Sequence, residues 1–92
     1  METNEISIHE IKVFNVVSRS GWIDNKTIAK EAGISGRTAR AHTLKLSKLG
    51  IFDCAEVFPG HRYRVATKAE KRNAGYLQRI ARAKEVFGEL AD

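Results

Sequence analysis

The stretch "TIAKEAGISGRTARAHTLKLSKLG", residues 27–50, limits most tightly what this chain can fold into. Two segments of apolar periodicity meet at Gly33, where a residue without a Cβ takes the left-handed backbone that ends a helix. Before the turn, Ile28, Ala29 and Ala32 share one face, with Asp24 or Asn25 placed to cap the helix. After it, Ile34 plugs the turn and Ser35 caps a longer helix that runs to about Leu49 and stops at Gly50. The inward stripe of this second helix reads Ala39, His42 or Thr43, Leu46 and Leu49.

Charge sets that second helix apart. Residues 35–50 carry Arg37, Arg40, Lys45 and Lys48 without an acid, so they sum to +4 in a chain of net +5. Residues 1–34 sum to −1, residues 51–66 to zero and residues 67–92 to +2. A solvated helix face mixes both signs, whereas a single-sign cluster raises a local positive potential suited to a polyanion.

The flanking segments supply the rest of a domain. "SIHE" predicts a capping box, with Ser7 accepting from the Glu10 amide, Glu10 reaching back to the Ser7 amide, and Ile6 and Ile11 stapled over it. Ile11, Phe14 and Val17 continue a helical stripe that Gly21 ends. Trp22 and Ile23 are too few for a free strand and suit a short edge on a sheet formed later. "IFDCAEVFPGHRYRVAT" alternates as a β-hairpin with its tip near residues 59–61. "TKAE" repeats the capping-box spacing at Thr67 and Glu70 and opens a long helix, with a bend or frayed end expected near Gly75 or Gly88. On that helix Tyr76, Ile80, Ala83, Phe87 and Leu90 recur at steps of 4, 3, 4 and 3, a heptad-like seam.

Several function classes lose ground on composition. Ninety-two residues make one small domain rather than a two-domain enzyme with a cleft. One Cys and three scattered His (His9, His42, His61) offer no metal-ligand spacing, and neither a Ser-His-Asp grouping nor a glycine-rich phosphate loop can be made out. The expectation is no catalysis, no metal, no cofactor and no evident small-molecule ligand. The lone Cys54 suits a reducing compartment, and the chain has neither an apolar run of membrane-spanning length nor a leader pattern. A cytoplasmic protein is expected.

The order helix, short strand, helix, turn, helix, hairpin, helix, together with "TIAKEAGISGRTARAHTLKLSKLGIF", resembles the winged helix-turn-helix of small bacterial transcription regulators of the MarR-like and ArsR-like kind. The match covers residues 8–66, with Thr43 where such helices place leucine and Leu44 where a polar residue is usual. The fold class this implies is mainly α with a small β-hairpin (α+β): a three-helix core and wing over residues 1–66, then a C-terminal helix over residues 67–92 for packing or dimerisation.

The resemblance also implies double-stranded DNA as partner and a prokaryotic, phage or plasmid setting. Residues 35–49 become the helix for the major groove, with Arg37, Thr38 and Arg40 at base edges. Ser35, Lys45 and Lys48 suit phosphate, and the wing would bring His61, Arg62 and Arg64 against backbone or minor groove. A homodimer joined through Tyr76, Ile80, Ala83, Phe87 and Leu90 would double the read site. Repression is the first expectation for its role. Two alternatives stay open: a winged helix used as a protein-interaction module, and a DNA-binding accessory factor of replication, partition or phage and plasmid control.

Overall fold

The computed structural model describes residues 6–57 and 60–88. In chain order the elements are α1 (Ile8–Ser20), β1 (Ile23–Asp24), α2 (Asn25–Ala32), α3 (Gly36–Lys48), β2 (Phe52–Val57), β3 (Gly60–Val65) and α4 (Ala69–Phe87). The fold is α+β and mostly helical, with a three-stranded antiparallel sheet in the order β1-β3-β2: a winged helix-turn-helix.

Local chemistry accounts for most of these boundaries. The Ser7 hydroxyl accepts from the Glu10 amide at 3.1 Å, Asp24 from Thr27 at 3.0 Å and Ser35 from Thr38 at 3.1 Å, so α1, α2 and α3 each begin at a side-chain cap. Gly33 takes φ 71° and ψ 36°, and its amide and that of Ile34 close on carbonyls of α2. This is the left-handed cap that permits α3 to leave α2 at once. Ile23 pairs with Tyr63 and Asp24 with Arg62, which gives the short edge strand its place on the sheet. Trp22 lies outside the strand.

The core lies under all four helices and the sheet. Ile11, Val13, Val16 and Val17 of α1 meet Ile28, Ala39, Leu46, Ile51, Phe52 and Tyr63, and Phe14 stacks on Phe52 with centroids 6.4 Å apart. Thr43, not His42, is the innermost residue between Ala39 and Leu46, at 0% exposure. Its hydroxyl donates to Asn25 Oδ1 at 2.9 Å and lies 3.1 Å from the Arg40 carbonyl. A polar group in the core is thereby satisfied, and the first residue of α2 is tied to the middle of α3.

Three expectations need correction. The Glu10 carboxylate does not return to the Ser7 amide; it is buried and holds Lys45 Nζ at 2.9 Å and the Tyr76 hydroxyl at 2.5 Å. Partners on α3 and α4 win because they satisfy a carboxylate that packing has removed from water. The hairpin tip is not at residues 59–61, since Gly60 already pairs with Val57 and His61 with Glu56. Residues 58–59 lie outside the described residues.

The third correction concerns α4. It starts at Ala69 without a side-chain cap, after a turn in which the Ala69 amide bonds the Ala66 carbonyl, so Thr67 and Glu70 form no capping box. Its bend falls at Asn73 (φ −157°, ψ 68°), two residues before Gly75 and so near the expected place, and the helix ends at Gly88. Asn73 Oδ1 accepts from the Tyr76 amide at 3.1 Å and its Nδ2 donates to the Leu49 carbonyl at 3.2 Å. One side chain thus caps the long part of α4 and satisfies a carbonyl at the end of α3.

Asn73→Ala removes both bonds and is expected to cost about 2 kcal/mol. Asn73→Asp keeps the cap acceptor and should lose about half as much. Urea unfolding of the two variants checks the order.

Beyond the bend, α4 returns to the core. Tyr76 and Ile80 are buried in the same core as α1–α3, as is Ala69 before the bend. No described helix is long and apolar enough to cross a membrane.

Candidate nucleic-acid interface

Helical geometry decides which face of α3 is free. With Ala39, Thr43 and Leu46 turned inward, Arg37, Arg40, Leu44 and Lys48 fall within about 80° of arc on the opposite side. All four are exposed, Leu44 at 53%. Lys45 lies off this arc toward α1. Thr38 is half-buried at the first turn, where its hydroxyl accepts from Ser35 at 2.9 Å.

Two grooves flank that face. The larger, about 770 Å³, runs between α3, the hairpin and the start of α2. Its walls include Lys26, Arg40, Leu44, Cys54, His61 and Arg62. The smaller, about 540 Å³, lies between the first turns of α2 and α3, with Lys26, Arg37 and Arg40 on its rim. Arg40 therefore stands on the ridge between the two, able to reach into either.

The cations around α3 and the hairpin divide into two sets. Among the described residues, Lys26, Arg37, Arg40, Lys48 and Arg62 form no ion pair within 4.0 Å. Others are engaged. Lys45 is tied to Glu10 across α1. Arg64 bonds Asp53 at 3.3 Å and lies 4.6 Å over the Trp22 ring, while Arg72 holds the other Asp53 oxygen at 3.1 Å. His61 is exposed on β3, 3.8 Å from Glu56 Oε2.

Of the cations read from the sequence, then, Arg37, Arg40, Lys48 and Arg62 stand free, whereas Lys45 and Arg64 are turned to partners within the fold. Ser35 is exposed but its hydroxyl already serves Thr38.

Lys26 was not among the residues singled out from the sequence, although it lines both grooves. It sits in the segment whose charge sums to −1, and only the packing of α2 against α3 brings it beside Arg37 and Arg40. Its one sequence signal is its position directly after the Asp24-Asn25 cap, at the helix terminus where an anion would be met. Asp24 itself is held below the usual carboxylate range, first by hydrogen bonds from Thr27 and further by the charge of Arg62, so it stays an ionised cap.

Behind the free face of α3, Glu10, Lys45, Tyr76 and His42 form a polar node that joins α1, α3 and α4. His42 Nδ1 is 3.8 Å from Glu10 Oε1. Burial lowers the His42 pKa, against the opposing charge of Glu10 and with the help of Lys45 and His9. Burial, then the bond to Glu10 and its charge, push the Tyr76 hydroxyl far up, so it remains a proton donor.

The seam proposed on α4 is divided by these contacts. Tyr76 and Ile80 are 1% and 2% exposed within the protomer's own core. Ala83 and Phe87 are half-buried against it, Val86 is exposed at 77%, and Leu90 lies outside the described residues.

No protein-family model and no curated protein matches the chain. Solved structures do. The PcaV transcriptional regulator from Streptomyces coelicolor, in complex with its natural ligand, superposes with a TM-score of 0.68 at 20% identity over 95% of this chain and 64% of that one. A MarR-family regulator from Silicibacter pomeroyi gives 0.64 at 12% identity, covering 91% of this chain and 59% of the other. NadR in complex with 4-hydroxyphenylacetate gives 0.61 at 13%, covering 95% and 64%. The chain thus spans less than two thirds of the length of these regulators. What it shares with them is the architecture, a winged helix-turn-helix of the kind found in MarR-family transcriptional regulators.

Proposed function

We propose that the protein binds double-stranded DNA in a sequence-specific way and regulates transcription. The observation that carries this reading is the free face of α3, on which Arg37, Arg40 and Lys48 form no ion pair among the described residues and Arg40 borders two grooves. Among the described residues Lys45, Arg64 and Arg72 are held by acids. Arg19, Arg79 and Arg82 also form no ion pair among the described residues, so what marks α3 is that its free cations share one outward arc, without an acid, on the helix that fits a major groove.

In this reading Arg37, Thr38 and Arg40 meet base edges, and Lys26, Lys48 and Ser35 meet phosphate. His61 and Arg62 of the hairpin reach the neighbouring backbone or minor groove. The likeness to MarR-family regulators favours transcription over replication or partition as the setting. A homodimer would carry two reading helices to half-sites about one turn apart, ~34 Å. The part of α4 left for such a contact is Ala83, Val86 and Phe87, since Tyr76 and Ile80 serve the core, and Leu90 of the expected seam lies outside the described residues. Repression needs only that the operator be occupied, and the cytoplasm is where a regulator of this kind would act.

The test is retention of a randomised duplex pool at 50 mM and 200 mM salt, followed by sequencing. An enriched inverted repeat, with affinity falling by about 10³–10⁵ between the two salts if six to ten phosphates are neutralised, is the expected result. Retention without enrichment would make the protein an architectural or accessory DNA binder. No retention at the lower salt would overturn the reading.

A further inference from the structure

Among the described residues four large hydrophobic side chains are exposed: Trp22, Leu44, Val57 and Val86. Trp22 carries the Arg64 guanidinium 4.6 Å over its ring and lies outside that groove, and Val86 lies at the far end of α4. The other two line one groove. Leu44 on α3 and Val57 at the end of β2 both border the space between reading helix and hairpin, with Cys54 and Tyr63 beside them and Lys26, Arg40, His61 and Arg62 around them.

Leu44 is not among the partly buried hydrophobics that pack on the core, so the hairpin does not use it for support. It stands one turn beyond Arg40 on the arc that faces outward. An apolar group placed there, inside a rim of cations, meets whatever the cations attract.

We infer that Leu44 is a specificity-determining residue that reads the C5-methyl group of a pyrimidine in the major groove. The inference rests on the proposed DNA binding. The C5-methyl is the one apolar feature a base edge presents in that groove, and it is carried by thymine or by 5-methylcytosine. Val57 and Cys54 close the apolar lining from the hairpin side. The spacing fixes where the methyl lies: four residues along α3 are about 6 Å, against 3.4 Å per base pair, so it sits one or two base pairs from the base that Arg40 contacts. Arginine at one position and leucine one turn on would together read a guanine followed closely by a methylated pyrimidine.

The experiment uses the full chain and the duplex it selects at 50 mM salt. Each thymine is replaced in turn by deoxyuridine, which removes only the methyl group, and each cytosine in turn by 5-methylcytosine. Wild type is expected to lose about fourfold in affinity per half-site at one deoxyuridine position. That position lies within two base pairs of the guanine whose loss Arg40→Ala no longer feels. If the selected site has cytosine there instead, 5-methylcytosine should tighten binding by a similar factor, which separates the two sources of the methyl.

Leu44→Ala should keep its urea midpoint, bind the site, and lose sensitivity at that position alone. Leu44→Met, which keeps an apolar reach, should restore most of it. The inference is overturned if no methyl position matters to wild type, or if Leu44→Ala keeps the wild-type pattern. If wild type binds no duplex at low salt, the DNA-binding reading fails and this inference with it. Tight binding with no methyl sensitivity sinks the inference alone.

Discussion

Lys45→Met is expected to lower the stability of the domain by about 2–3 kcal/mol while leaving the affinity of the folded protein for DNA nearly unchanged. The ammonium of Lys45 is the charge partner of the Glu10 carboxylate, whose side chain is 3% exposed. Removing the cation leaves an anion inside the fold with the Tyr76 hydroxyl as its close partner. Breaking a fully buried pair in this way costs about 3–5 kcal/mol. The lower figure applies because the Lys45 side chain is 49% exposed, so water already carries part of the charge. For a domain of this size the shift in melting temperature is about 10–20 °C.

The companion variant separates charge from packing. In a Glu10→Gln background the amide oxygen still accepts from Tyr76, but no buried charge remains, so Lys45→Met should then cost under about 1 kcal/mol. A large loss in both backgrounds would mean that Lys45 acts through its methylenes. A Lys45 that served as a phosphate contact would behave in the opposite way, with stability kept and a flatter salt dependence of binding.

This node also marks where the sequence stops being sufficient. The caps at Ser7, Asp24 and Ser35 and the turn at Gly33 are written in neighbouring residues, and the structure has them where local chemistry puts them. The Glu10 carboxylate had a local option and took partners 35 and 66 positions away. No spacing rule reaches that far. The same holds for Asn73, whose second bond is to Leu49, and for Arg64, neutralised by Asp53 across the hairpin. Helical period alone placed Lys45 among the outward residues, since a side chain a little off the outward arc can still be claimed by α1.

The site was legible in the same uneven way. Arg37, Arg40 and Lys48 could be picked out because charge and period coincide on one helix. Lys26 could not, because its relation to them exists only after α2 packs on α3 through Thr43 and Asn25. Sequence marks the reading helix; tertiary contacts decide which of its cations remain free.

That division leads to the largest effect expected on binding. Arg40→Ala should cost about 1–3 kcal/mol per half-site on the preferred sequence, and twice that for a dimer in which both copies change. At 1.4 kcal/mol per tenfold, the loss on the full site is roughly 30-fold to 20,000-fold. Arg40 is the choice because it borders both grooves and has no internal ion pair, so its removal disturbs neither the core nor a buried charge. On random duplex the same variant should lose far less, since only a generic charge is gone. Lys48→Ala should behave differently, weakening all sequences alike and reducing the salt slope by about one for each contact removed. Competition titrations of both variants on preferred and random duplexes, at three salt concentrations, place each residue on one side of this line. If Arg40→Ala and Lys48→Ala weaken every duplex by the same factor, α3 holds the backbone without reading bases, and the sequence preference would have to come from DNA shape, with Arg62 of the hairpin the next residue to replace.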